Sequence, residues 1–319
     1  MDRFQEFLTN FHHQLSDALT VPINIKLPKD VQRVIIAGMG GSGIAGDVLA
    51  SLLYDEKIPV TVCKDYRLPG WVDAKTLVFC ISYSGNTQET LSSFSDAQKK
   101  KAHVVVIASG GKIRDFCMEY RIPHIAVPHD YPPRCALAYL LIPMLRILEQ
   151  YGYLKKKVQE VQDAIEIVSQ PTLRLKAEQL SQKIGDKTPV IYTSPRLAAA
   201  GLRWKQEFNE NAKVHAVYNT FPELCHNELM GYSHGHGSLY VFILRDESDT
   251  AQVQKQMSVT KEIIKSKGYE VMEINMKGPS QLVKILTAIH LGDWLSYYHA
   301  LAHKVDPYPV DLIEQLKKR

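Results

Sequence analysis

The chain is 319 residues long, 45% hydrophobic and 23% charged, with a formal net charge of +4. This balance excludes a disordered or fibrous chain and leaves room for two domains of ordinary size, each with its own core. It also excludes a strongly basic nucleic-acid surface. The short runs Lys99-Lys100-Lys101, Lys155-Lys156-Lys157 and Lys317-Lys318-Arg319 read as solvated helix ends, and no nucleic-acid partner is expected.

No apolar run is long enough to span a bilayer, and Met1-Asp2-Arg3-Phe4-Gln5-Glu6 lacks the basic-then-apolar layout of a secretory signal. The cysteines Cys63, Cys80, Cys117, Cys135 and Cys225 are odd in number and show no C-x-x-C spacing. Neither a disulfide framework nor a cysteine zinc site is expected. The expectation is a soluble cytoplasmic protein with no membrane partner.

In chain order, Phe4, Phe7, Leu8, Phe11, Leu15 and Leu19 recur at spacings of three and four, predicting one amphipathic helix over residues 2–19. Apolar runs at 34–37, 60–63, 77–81, 104–107 and 124–127 then read as strands. Helical stretches follow Gly43, Thr87, Lys112 and Arg134. Two further helices lead to Lys183, after which strands are predicted at 190–193, 214–218, 239–244 and 270–274, with a long helix over 280–303. Apolar strands alternating with helices predict an α/β fold of two doubly wound domains, each a parallel sheet flanked by helices. The division is placed at 152: residues 1–152 with the leading helix, and 153–319 with a C-terminal helix.

The first strand runs into Gly38-Met39-Gly40-Gly41-Ser42-Gly43, where glycines let backbone amides approach an anion at a helix N-terminus. Gly38, Gly40 and Gly43 also satisfy a dinucleotide fingerprint, with Asp65 near the end of the next strand, so an oxidoreductase reading stays open. A second strand-to-helix loop argues against it. Ser82-Tyr83-Ser84-Gly85-Asn86-Thr87 offers three hydroxyls and an amide at a helix start, enough for the peripheral oxygens of a phosphomonoester. A plain Ser/Thr helix cap is the alternative for that loop. Gly41, Ser42, Ser82, Ser84 and Thr87 are the expected phosphate contacts.

Ser-Tyr-Ser-Gly-Asn-Thr after a glycine-rich first turn resembles the sugar-isomerase (SIS) domain. Pro132-Pro133-Arg134, Arg203-Trp204-Lys205-Gln206, Asn209-Glu210-Asn211-Ala212-Lys213 and Phe221-Pro222-Glu223-Leu224-Cys225-His226-Asn227-Glu228 narrow the likeness. Together they resemble the bifunctional phosphoglucose/phosphomannose isomerase family, from about residue 30 onward. The resemblance implies a tandem SIS fold and an aldose–ketose isomerase acting on a phosphosugar without metal or other cofactor. Glu210 is then the base that moves a proton between C1 and C2, its pKa raised by partial burial, with an exposed helix-end carboxylate as its alternative. His226 opens the sugar ring and reaches the neighbouring subunit's site, implying a homodimer. Arg134 stabilises the enediolate oxygens, with a plain salt-bridge role as its alternative. Lys317 is either a further cation near the substrate or a lysine complementing a helix dipole.

Other constellations carry less. His234-Gly235-His236 offers two metal ligands without a third, and a polar turn is the simpler expectation. Asp306-Pro307-Tyr308-Pro309-Val310 has tyrosine where relatives read threonine, which leaves the glucose/mannose preference open. A non-catalytic phosphosugar sensor would keep the Ser82, Ser84 and Thr87 loop yet dispense with Glu210, His226 and Arg134.

Overall fold

The computed structural model describes residues 2–28, 30–235 and 237–317. The leading apolar pattern forms two helices, α1 (Arg3–Thr9) and α2 (Phe11–Ala18), not one. The break falls at Asn10 because the two halves pack in different bodies. Phe4 of α1 stacks on Tyr297 at 6.1 Å, and the Tyr297 hydroxyl donates to Asp2 at 2.7 Å. The apolar face of α2 (Phe11, Leu15, Ala18) packs instead with the helix α6 described below.

The first α/β body runs β1 (Arg33–Ala37), α3 (Gly40–Leu52), β2 (Val60–Cys63), β3 (Thr76–Ile81), α4 (Gln88–Lys99), β4 (His103–Ala108), α5 (Gly111–Tyr120), β5 (His124–Ala126) and α6 (Leu137–Gln150). All its strands are parallel, in the order β2-β1-β3-β4-β5. Both faces of the sheet are covered, so β3 is apolar at nearly every position and buried throughout. Ile35, Ala37, Val78, Cys80, Val104 and Val106 turn toward Phe94 and Ala97 of α4 and Ile113 and Cys117 of α5. On the other face, α3 packs over β1 and β2, and α6 packs against α3. Each large apolar side chain buried in these layers contributes about 1.5–3 kcal/mol, which sets the strand register firmly.

Nearly all of α7 (Lys157–Val168) still belongs to the first body; the second then runs α8 (Pro171–Ile184), β6 (Thr188–Thr193), α9 (Ala198–Glu210), β7 (Val217–Thr220), β8 (Leu239–Asp246), α10 (Ala251–Ser266), β9 (Glu270–Met276), α11 (Gln281–Ala302) and α12 (Asp311–Lys317). Its sheet is again parallel, ordered β7-β6-β8-β9. Val190, Tyr192, Val241 and Ile243 face Met257 and Ile264 of α10. Trp204 of α9 meets Phe242 edge-on at 5.5 Å and donates its indole N–H to Ala288 O of α11 at 2.7 Å. Helix α11 is buried on all sides from Leu282 to Tyr297, yet no helix among the described residues is long and apolar enough to cross a membrane.

The strand expected at 214–218 begins three residues later. Val214 N–H donates to Phe208 O at 3.3 Å and its carbonyl accepts from Asn209 Nδ2 at 2.8 Å, so the turn that ends α9 uses this residue. The chain divides into two compact units, Asn10–Glu166 and Met1–Thr9 with Ile167–Arg319. The cut therefore falls later than residue 152, and only the first part of the expected leading helix, through Thr9, belongs with the later half, held by Phe4 and Asp2. In each unit the strand order reverses beside the central strand, between β1 and β3 and between β6 and β8. Such switch points, at the C-terminal ends of the strands, are where open α/β sheets bind ligands.

Candidate active site

At the first switch point the loop after β3 is built largely from its own hydrogen bonds. Ser82 is fully buried; its Oγ donates to Thr87 Oγ1 at 2.9 Å and accepts the Thr87 N–H at 3.4 Å. Gly85 N–H closes a turn onto Ser82 O at 3.0 Å, and Asn86 N–H donates to Ser84 Oγ at 3.3 Å. Ser84 is exposed and Thr87 half-buried, immediately before α4. Ser82 thus orients Thr87 while Ser84 and Thr87 face outward beside a helix N-terminus, where the dipole favours an anion.

A second loop, Ser109-Gly110-Gly111, holds this one in shape. Ser109 N–H and Oγ both donate to Tyr83 O, at 3.0 and 2.6 Å. Ile113 N–H donates to Gly85 O at 3.0 Å, and Lys112 N–H to Asn86 Oδ1 at 3.0 Å. The approach is so close that a Cβ on Gly85, whose φ is +70°, would lie 1.7 Å from Gly110 O. Ser42 joins from α3: its Oγ accepts the Tyr83 N–H at 3.2 Å, leaving the Ser42 proton to donate elsewhere.

Tyr83 connects the loop to the Arg134 turn. Its hydroxyl donates to Pro128 O at 2.9 Å and accepts the Tyr131 N–H at 3.0 Å; burial pushes the phenol up to about 12, so it stays protonated. Pro133 then opens a 3-10 turn over Pro133–Cys135, and Arg134 is only 3% exposed. A Cβ on Gly41 would stand 2.8 Å from Pro133 O and 2.9 Å from Arg134 N. Gly41 therefore lets this turn rest on the start of α3, so Gly41, Ser42, the 82–87 loop and Arg134 belong to one assembly.

Glu210 and His226 lie in the other unit. Glu210 is the last residue of α9, half-buried, and lines a pocket of about 580 Å³ with Lys213, His215 and residues 309–313. A buried network fixes that end of α9. Arg203 grips Asp293 with two bonds, at 2.8 and 3.0 Å, and lies 3.2 Å from Glu207. Asn211 Nδ2 reaches Glu207 Oε2 at 2.8 Å and Ser296 Oγ at 2.9 Å. Burial pushes the Asp293 carboxyl up while Arg203 opposes it. Lys213 Nζ donates to Glu210 O at 2.5 Å, Asn211 O at 3.4 Å and Pro307 O at 3.4 Å, capping the helix and tying it to the chain before α12.

His226 ends a 3-10 turn, Glu223–His226, and is exposed. Its neighbours hold it there. Asn227 Nδ2 donates to Glu223 at 2.7 Å, while Glu228 accepts from the Tyr192 hydroxyl at 2.7 Å and from Asn219. Sequence reasoning missed Tyr83, Ser109, Tyr192, Lys213 and Glu228 as supports, since each acts on a partner distant in sequence or through backbone atoms.

Lys317 is exposed at the end of α12, while Lys318, Arg319 and His236 lie outside the described residues. His234 is exposed, and no group of three metal-ligating side chains occurs among the described residues. Cys80 is fully buried and burial pushes its thiol up, which leaves it unreactive. Tyr308 stacks on Phe7 at 6.4 Å and lies edge-on to Phe4 at 6.5 Å, with Arg3 5.7 Å above its ring.

Residues 174–319 match the family described as bacterial phospho-glucose isomerase C-terminal SIS domain. The chain is 35% identical over 331 residues to a bifunctional phosphoglucose/phosphomannose isomerase of Caldicellulosiruptor bescii, covering 98% of each chain. It is 38% identical over 307 residues to one of Thermoplasma volcanium, covering 95% of this chain and 96% of the other. The fold is similar to the C-terminal domain of glucosamine-fructose-6-phosphate aminotransferase from Francisella tularensis. That match has a TM-score of 0.76 and 16% identity, covering 96% of this chain and 98% of that one.

Proposed function

Because the chain belongs to the bifunctional phosphoglucose/phosphomannose isomerase family, we propose that it interconverts glucose 6-phosphate and mannose 6-phosphate with fructose 6-phosphate. The observation that carries the reading is the 82–87 loop. It offers the Ser84 and Thr87 hydroxyls and the α4 N-terminus at a switch point, a phosphate handle that needs no cation.

The residues then divide the reaction. Ser42, Ser84 and Thr87, with the backbone at Gly41, hold the phosphate, while the buried Ser82, also expected as a contact, instead orients Thr87 from beneath. His226 moves a proton between the ring oxygen and the C1 hydroxyl, opening the ring. The Glu210 carboxylate takes the proton from C2 of the aldose and returns it to C1, the electron pair passing through an enediolate, while the C2 hydroxyl proton passes from O2 to O1. Arg134 stabilises the negative oxygen of that intermediate. Lys317 is the further candidate for a cation near the substrate. The exposure of His226 suits a homodimer in which it serves the neighbouring subunit. The unpaired cysteines suit a reducing cytoplasm.

Assays with glucose 6-phosphate and mannose 6-phosphate, each coupled to detection of fructose 6-phosphate and run with and without chelator, test the reading. Turnover of at least one hexose phosphate, unaffected by chelator, is expected. Binding without turnover would identify a sensor, and a requirement for nicotinamide nucleotide would identify an oxidoreductase.

A further inference from the structure

The two switch points are built alike but end differently. In the first sheet β1 finishes at Ala37 opposite Cys80, and two residues beyond Cys80 stands Ser82. In the second sheet β6 finishes at Thr193 opposite Leu244, and two residues beyond Leu244 stands Asp246. Both residues open the same turn: Gly85 N–H donates to Ser82 O at 3.0 Å, and Asp249 N–H donates to Asp246 O at 3.0 Å. A serine follows two residues later in each, Ser84 and Ser248, before the next helix begins.

What surrounds Asp246 is an anion's environment. Lys284 of α11, 4% exposed, places Nζ 2.6 Å from Oδ1 and also donates to Ser248 Oγ at 3.0 Å. Arg196, in the 3-10 turn before α9, places Nε 3.4 Å from Oδ2, and its other end is held by Gln281 at 3.0 Å. Ser248 N–H donates to Oδ1 at 2.9 Å. Burial alone would push this carboxyl up; Lys284, the Ser248 N–H and Arg196 together hold it below its ordinary value.

Two other acids border the site. Glu247 is exposed, 3.8 Å from Lys284, and Asp249, whose carboxyl burial pushes up, accepts the Asp246 N–H at 3.3 Å. Asp246 also borders a pocket of about 360 Å³ with Arg245, Glu247, Gln254, Glu273 and Lys277.

We propose that the second switch point is an anion site of the same construction as the first, kept filled by the chain's own Asp246 carboxylate. Lys284 and Arg196 supply the charge that α4 and its hydroxyl loop supply in the other half. A phosphate is then taken once per chain, at the 82–87 loop, a count that rests on the reading of that loop given above. The carboxylate is a permanent occupant because it is covalently part of β8 and its cations are already satisfied.

The test counts inorganic phosphate ions bound per chain, by equilibrium dialysis and calorimetry at constant ionic strength set with chloride. The full-length wild type is compared with Asp246→Ser and Asp246→Asn. Both variants are expected to gain one phosphate site over the wild type, and adding Lys284→Met is expected to remove the gained site. No gain in either variant overturns the proposal. Should the variants fold poorly, rescue of their thermal transition by phosphate beyond matched chloride supports it, and equal rescue by chloride overturns it. A wild type that binds no phosphate would instead refute the 82–87 loop as a phosphate site, and the variants' gain would still decide the role of Asp246.

Discussion

Replacing Gly85 by alanine separates strain from loop packing at the proposed phosphate site. Gly85 and Gly152 have nearly equal backbone angles, φ +70° and +76°, but a Cβ at Gly152 meets nothing within 4 Å while one at Gly85 would lie 1.7 Å from Gly110 O. The conformational cost for alanine in this region is about 1 kcal/mol at either position. At Gly85 the overlap is with backbone, so no rotamer relieves it and the two loops must part. Parting them loses the bonds of Ser109 N–H and Oγ to Tyr83 O, Ile113 N–H to Gly85 O and Lys112 N–H to Asn86. At about 1 kcal/mol each, the total for Gly85→Ala is about 4–5 kcal/mol, against about 1 for Gly152→Ala. Urea unfolding should resolve that difference. Calorimetry should show inorganic phosphate binding weakened by at least about tenfold in Gly85→Ala alone. Equal stability losses, or unchanged phosphate affinity, would refute the view that the second loop shapes the first.

Lys213 holds the carbonyls of Glu210, Asn211 and Pro307, so Lys213→Met should lower kcat about tenfold through displacement of Glu210. KM should stay within about twofold and Lys213→Arg should restore most of the rate; a rise in KM alone would contradict a positioning role. His299 is buried against Phe208, 5.5 Å between ring centres, and burial lowers its pKa to about 4 from an ordinary 6.5. The unfolded chain therefore binds more protons between pH 4 and 6.5, and stability should rise with pH across that window and level off above it. The drop from pH 7 to 4 should reach about 2 kcal/mol after solvent screening, and His299→Gln should remove that part of the pH dependence in thermal melts.

Much of this architecture is written locally. Strands such as β3 and β4 announce themselves because both faces are covered and nearly every residue must be apolar. The 82–87 loop is legible because its hydroxyls, glycine and amide are contiguous. What the chain does not spell out is pairing at a distance. The break at Asn10 follows from Tyr297 and Tyr308 drawing α1 to the later half, a partnership invisible in a continuous apolar stripe. The delayed start of β7 comes from the hydrogen bonds that close α9 at Val214. Gly41 reads as a phosphate-loop glycine, and only its contact with Pro133 and Arg134 reveals a packing duty. Asp246 and Lys284 are separated by 38 residues, so nothing local marks them as a pair at a switch point.

The role proposed for Glu210 is to carry a proton between C1 and C2 of a hexose phosphate. Running the isomerisation of glucose 6-phosphate in deuterated water, with wild type and Glu210→Gln in parallel, tests it most directly. The wild type should form fructose 6-phosphate carrying solvent deuterium at C1. Glu210→Gln should bind the phosphosugar with affinity within about threefold, a difference under 1 kcal/mol, and show neither turnover nor exchange. Retained exchange in Glu210→Gln would contradict the account.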